Sequence, residues 1–201
     1  MIYHVIDFIA RNLRDNCNAT GLSWLDNAYG ICHLISREEK TQPVFYKGFD
    51  DYIPVGIEDT SVGGDSCVYF RILSNSVSEA PTGGRGCSYL VTDSYSVKLV
   101  AYADGRKFRD GNYDTRYELI QNLKHGLFQI NKNSVLQAFT KMRFFNMRIS
   151  SVNDSSPAVF SEEYAGHEMR LSGQHIFISM NLDLELRYDS TCLPLEVCLT
   201  S

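Results

Sequence analysis

An α+β fold, with a mostly antiparallel sheet flanked by an N-terminal helix and a second helix, is predicted by three features of the sequence. Ile176, Ile178, Met180, Leu182, Leu184, Leu186 and Tyr188 alternate with Phe177, Ser179, Asn181, Asp183, Glu185 and Arg187. Alternation of that length fits a strand with one buried and one wet face. Ile2, Val5, Ile6, Ile9 and Leu13 recur at spacings of three and four, the mark of an amphipathic helix. Ile120, Leu123, Leu127 and Ile130 form a second such stripe.

The remaining elements follow in chain order. The turn-rich residues 16–21 end the first helix. Short strands are expected at 29–35, 44–46 and 67–73. Pro43 is read as opening its strand, because proline is excluded from the middle of a sheet. Two polar, glycine-rich stretches, about 56–66 and 74–88, are read as long loops, of the kind that serves function or is ordered by a partner. Residues 95–102 form a strand with Tyr95, Val97, Leu99 and Ala101 on one face. The second helix spans about 115–130, with Asp114 as its N-cap. A strand at 142–152 and a turn at 153–157 come next, and 159–171 carries no clear pattern. At ~3.3 Å per residue the strand 175–188 runs about 40 Å, so part of it is expected to pair or pack outside its own subunit. A half-apolar extension of about 189–201 closes the chain, and Pro194 disfavours a central strand there.

The 201 residues suit a single domain, and 44% hydrophobic residues speak against disorder. The formal charge is −5, with lysine and arginine scattered, which argues against a general nucleic-acid binder. The densest basic group, Lys141, Arg143 and Arg148, lies in a strand-like run. The opening Met1-Ile2-Tyr3-His4 lacks a secretory pattern, and no apolar run approaches the ~18 residues of a membrane span. Two glycosylation sequons, at Asn18 and Asn153, are read as chance matches. Cys17, Cys32, Cys67, Cys87, Cys192 and Cys198 are widely spaced without a CxxC pair, so they are expected to be reduced thiols.

The search for chemistry finds little. The run Thr82-Gly83-Gly84-Arg85-Gly86-Cys87 lacks the lysine of a phosphate loop. His4, His33, His125, His167 and His175 are dispersed, and adjacent Cys32 and His33 point to opposite strand faces. The acidic pairs Glu38-Glu39 and Glu162-Glu163 are read as solvated surface. Tyr113, Tyr117, Phe128, Phe144 and Phe145 are read as core packing. No catalytic residue, metal site or cofactor is assigned. Asp183 and Glu185 share one strand face, which in a ring would form a wall of repeated negative charge.

The order of these elements, closing on HIFISMNLDLELRYDSTC at 175–192, resembles the tail-terminator and head–tail connector (neck) proteins of tailed bacteriophages. Within them it is most similar to the ring proteins of crAss-like phages. The resemblance covers Ile2 to about Tyr188, and it rests on pattern rather than an invariant motif. It implies a non-enzymatic subunit of a sixfold or twelvefold ring. Such rings join portal, connector or tail proteins and pass DNA through the centre without specific binding. It implies no membrane, and localisation to the neck or tail of the virion after synthesis in the host cytoplasm. On this reading Val62, Val77, Arg85, Leu193, Leu195 and Val197 fall on subunit or partner contacts, and Asp183 and Glu185 face the channel.

Two rival functions are carried. One is a β-rich glycan-binding module using Tyr46, Phe49, Tyr52 and Tyr89. The other is an enzyme whose catalytic residues are dispersed in sequence and converge in a pocket.

Overall fold

The computed structural model describes residues 1–19, 23–48, 51–55, 66–81, 89–108, 115–131, 144–167 and 175–189. Helix α1 is Ile2–Asn18, followed by strands β1 (Asn27–Arg37), β2 (Lys40–Gly48) and β3 (Asp51–Pro54). Strands β4 (Cys67–Pro81) and β5 (Tyr89–Asp104) come next, then a short 3-10 turn, Gly105–Lys107. Helix α2 (Thr115–Asn131), strand β6 (Phe144–Asn153), helix α3 (Ser156–Glu163) and strand β7 (His175–Asp189) complete the order. The fold is therefore α+β, as predicted.

The strands form one sheet in the order β3-β2-β1-β4-β5-β7-β6. Only β1 and β4 pair in parallel; every other pair is antiparallel. Strand β1 changes neighbours at a register shift between Ala28 and Ile31. Its first part lies beside β4, and residues 32–37 pair with β2. That hairpin turns on Glu38 and Glu39 with φ of 49° and 66°, the left-handed pair of a tight two-residue connection.

Both helical stripes serve one face of the sheet. Val5, Ile6, Ile9 and Leu13 of α1 are fully buried, as are Leu119, Leu123 and Ile130 of α2. They meet Val97, Leu99, Ile178, Met180 and Leu182 in the main core. In α2 the deepest first-turn position is Leu119, whereas Ile120 is partly buried. The two helices approach closely: a Cβ on Gly126 would lie 2.7 Å from Leu13 Cδ1, so a side chain there would push α1 away. A second, smaller core on the opposite face gathers Tyr69, Val100, Tyr102 and Phe177 under Val159, Phe160 and Tyr164 of the α3 region.

Several expectations are corrected. Pro43 sits within β2, opposite Leu34. Its carbonyl accepts from Val55 N–H at 2.9 Å, so its missing donor points the same way, just past the last residue of β3. Proline is tolerated there because that side of the ladder has already ended. The stretch 74–81 is strand: β4 stays paired with β5 up to Pro81↔Tyr89. The polarity of those residues reflects two wet surfaces rather than a loop. The turn expected at 153–157 includes the start of α3, with Pro157 in its first turn, where a missing N–H costs nothing. The long strand β7 pairs within its own subunit, along its whole length with β5 and over nine positions with β6. Its polar set is wet only from Asn181 onward, because the α3 side covers Phe177 and Ser179. Tyr117 and Phe128 lie on the surface at 59% and 53% exposure rather than in the core.

Candidate functional site

Strands β4, β5, β7 and β6 continue past the part of the sheet sandwiched between helices. Register places their side chains in rows across this upper ribbon. One row is Ser74, Ser96, Asp183 and Arg148; the next is Ser76, Ser94, Glu185 and Asn146. Ser78, Thr92 and Arg187 follow. These positions share one face because period-two geometry sends every second side chain to the same side. A shallow trough of about 440 Å³ lies over Ser76, Ser94, Asn146, Arg148, Asp183 and Glu185.

Asp183 is exposed and Glu185 partly so. The wall of repeated negative charge is corrected, because each acid has basic company. Arg187 donates to Glu185 Oε1 at 2.6 Å through Nε and pairs with it at 2.5 Å through Nη2. Arg148 stands directly opposite Asp183 in the ladder. Two acids and two arginines on a bed of hydroxyls make a polar surface balanced in charge.

The edge of this ribbon is open. Strand β1 accompanies β4 only as far as Ile31↔Phe70. Beyond it, no strand flanks β4 on that side among the described residues, and residues 73–80 are all exposed. Leu73 and Val77 lie there at 46% and 58% exposure. Strand β6 forms the other edge of the sheet. Beside it, on the helical face, a groove of about 480 Å³ runs between β6 and α2, over Leu127, Phe128, Met147 and Ile149 with Lys124 and His125 at its rim.

Of the residues assigned to contacts from sequence, Val77 is the one placed on this exposed edge. Val62, Arg85, Leu193, Leu195 and Val197 lie outside the described residues. Of the proposed glycan aromatics, Tyr46 and Tyr52 pair across β2 and β3 with ring centroids 5.1 Å apart, both about half exposed. Phe49 lies outside the described residues, and Tyr89 opens β5.

Sequence reasoning missed a buried charge cluster. Glu163, read as solvated surface, is fully buried at the end of α3. Tyr69 OH donates to its Oε2 at 3.1 Å; Arg71 Nη1 and Lys98 Nζ donate to its Oε1 at 2.6 and 2.9 Å. Lys98 is also buried and reaches Glu162 at 2.6 Å. Burial, aided by Tyr164 and Glu163 nearby, pushes the Tyr69 phenol well above its ordinary value. The cluster joins α3 to β4 and β5, and its four charges cancel. A second carboxylate, Asp93, is buried on the helical face of the upper ribbon. Tyr188 OH and Tyr95 OH donate to its Oδ2 at 2.9 and 3.4 Å. Burial and this carboxylate push Tyr95 up to about 12. Periodicity could have flagged both acids: Glu163 follows the apolar Val159 and Phe160 by helical spacing, and Asp93 falls in period-two phase with Val91 and Tyr95.

Among the described residues no cluster of histidine, cysteine and acidic side chains is placed to hold a metal ion, and no helix is long and apolar enough to cross a membrane. No protein-family model matches the chain, and no curated protein matches it.

Proposed function

We propose that the protein is a structural subunit of a homo-oligomeric ring in the neck or tail of a tailed phage, joining portal to tail and contributing to the DNA conduit. One observation carries the reading: a four-stranded ribbon whose outer β4 edge has no neighbouring strand for about ten residues among the described residues, and which presents one continuous polar face. A free monomer gains nothing from an open, regular strand edge, which invites association. A closed ring uses such an edge, repeating one heterologous contact around its axis. The polar face suits a conduit wall. Hydroxyls and balanced charges stay wet without gripping phosphates, and a basic lumen would hold DNA by counterion release. The reading assigns the chain no catalytic step and no cofactor. Its partners are copies of itself, in sixfold or twelvefold number, and the neighbouring portal, connector or tail proteins.

The mass of the native particle tests this. Light scattering or native mass spectrometry at rising concentration, alone and with the neighbouring ring, should give a multiple of the subunit mass. A monodisperse monomer that ignores its neighbour overturns the reading.

A second reading, a glycan-binding module, is favoured by the exposed Tyr46–Tyr52 pair alone, since paired aromatic faces can stack on a sugar. A ligand-dependent rise in melting temperature that vanishes in Tyr46→Ala would establish it in place of the ring.

A further inference from the structure

We infer that the contact between neighbouring copies is a strand-to-strand seam, in which the open edge of β4 in one copy pairs with the β6 edge of the next. The inference rests on the ring reading and names the surface that closes it.

Four observations point to this pair of edges. First, their lengths match: among the described residues β4 is open from about Arg71 to Pro81, and β6 spans ten residues, Phe144–Asn153. Second, their directions suit a ring. Each step from β4 to β5, β7 and β6 is antiparallel, so β4 and β6 run in opposite directions. Copies related by rotation about a common axis therefore bring antiparallel edges together. Third, the faces agree across the seam. Ser74, Ser76 and Ser78 of β4 fall on the same side of the sheet as Asn146 and Arg148 of β6, so the polar surface continues from copy to copy.

Fourth, the opposite face supplies an apolar seat. Val77 and Glu79 point to the helical side of β4, because Val77 shares a row with Asp93, Leu186 and Phe145. The groove between α2 and β6 opens on that same side, beside Met147 and Ile149. A stagger of two residues brings Val77 alongside Met147, and closing a ring of tilted strands requires a stagger. Val77 then leaves water for the groove under Phe128, so two exposed apolar side chains cover each other. This mode joins backbone hydrogen bonding, which gives affinity, to alternate side chains in a groove, which give specificity.

Cross-linking and a substitution at Val77 test the seam on the full chain. With Cys87, Cys192 and Cys198 replaced by serine, Ser76→Cys combined with Asn146→Cys or with Arg148→Cys should yield disulfide-linked multimers in one of the two registers. Val77→Lys should weaken self-association by about tenfold or more while leaving thermal unfolding unchanged, because the side chain is exposed in the single subunit. A particle of ring mass that forms neither cross-link and ignores Val77→Lys overturns the seam and leaves the ring reading standing. A chain that remains monomeric with its neighbours present overturns both.

Discussion

Lys98 Nζ lies 2.9 Å from Glu163 Oε1, with the two side chains 6% and 0% exposed. The pair ties the last residue of α3 to the middle of β5, and Arg71 and Tyr69 extend the tie to β4. Removing one partner of a buried ion pair leaves the other without compensation, at a cost of about 3–5 kcal/mol. Glu163→Ala should therefore lower the urea midpoint sharply, with the slope of the transition unchanged. Replacing the charges together, Glu163→Leu with Lys98→Met and Arg71→Met, should recover much of the loss. If Glu163→Ala behaves like an exposed substitution, the cluster does not hold α3.

Asp7 of α1 occupies the space that a side chain at Gly30 would need: a Cβ on Gly30 would stand 1.9 Å from Asp7 Oδ1. Gly30→Ala should destabilise the fold, and Asp7→Ala in the same chain should relieve part of the damage, a non-additivity expected of touching residues. The carboxyl of Asp7 is raised from its ordinary 3.8 by burial, with Arg11 and His4 opposing. A raised acid binds its proton more readily folded than unfolded, so its contribution to stability falls as pH rises from the unfolded value through the folded one. Asp7→Asn should consequently flatten the decline in stability across that acidic window and stabilise the fold at neutral pH. A steeper decline in the variant would show that burial does not dominate the titration of Asp7.

The parts of the fold visible in the sequence are those where one face is wet and the other dry. Both helical stripes and the odd–even split of residues 180–188 follow directly from that contrast. The failures have the opposite character. Residues 74–80 are strand with both faces exposed, so no alternation survives to announce them. Phe177 and Ser179 are strand with both faces buried. Glu163 reads as surface in the sequence because its partners, Tyr69, Arg71 and Lys98, are distant in sequence and only the sheet register assembles them. For the candidate site, the shared face of Asp183 and Glu185 was legible. Arg187, two residues further along, was legible with them, but Arg148 and the open edge of β4 were not, since both depend on which strands become neighbours.

Cys17, Cys32 and Cys67 are buried and not disulfide-bonded. Burial pushes the Cys17 thiol up to about 12. It raises Cys32 further, with Cys67 and Glu163 adding their repulsion. Since the thiolate is the reactive form, Cys17 and Cys32 should resist a soluble disulfide reagent under native, mildly alkaline conditions, and burial shields Cys67 from it as well. They should react together on unfolding in urea. Rapid native modification of any of them, located by peptide mapping, would contradict the packing of α1 against α2 or of β1 against β4.

Leu182 and Asp183 are consecutive on β7 and face opposite sides, Leu182 fully buried in the main core and Asp183 exposed in the polar trough. A slip of one residue would exchange every such pair, so the register is fixed by the core alone. Leu182→Asp places an unpaired carboxylate among apolar side chains and gives up a buried leucine, whose loss by itself costs about 2–5 kcal/mol. It should abolish folding, whereas Asp183→Asn should leave the melting temperature within a few degrees of the parent. The trough provides the functional half of the test. Asp183→Lys with Glu185→Lys removes two negative charges and adds two positive ones beside Arg148 and Arg187, turning a balanced face basic. If that face lines a DNA conduit, the double variant should fold and assemble yet retain DNA, with a binding constant that falls steeply as salt rises. Assembly with normal DNA passage and no salt-dependent retention would take Asp183 and Glu185 off the channel wall. The fold and the register of β7 would stand in either case, because Leu182→Asp reports on them independently.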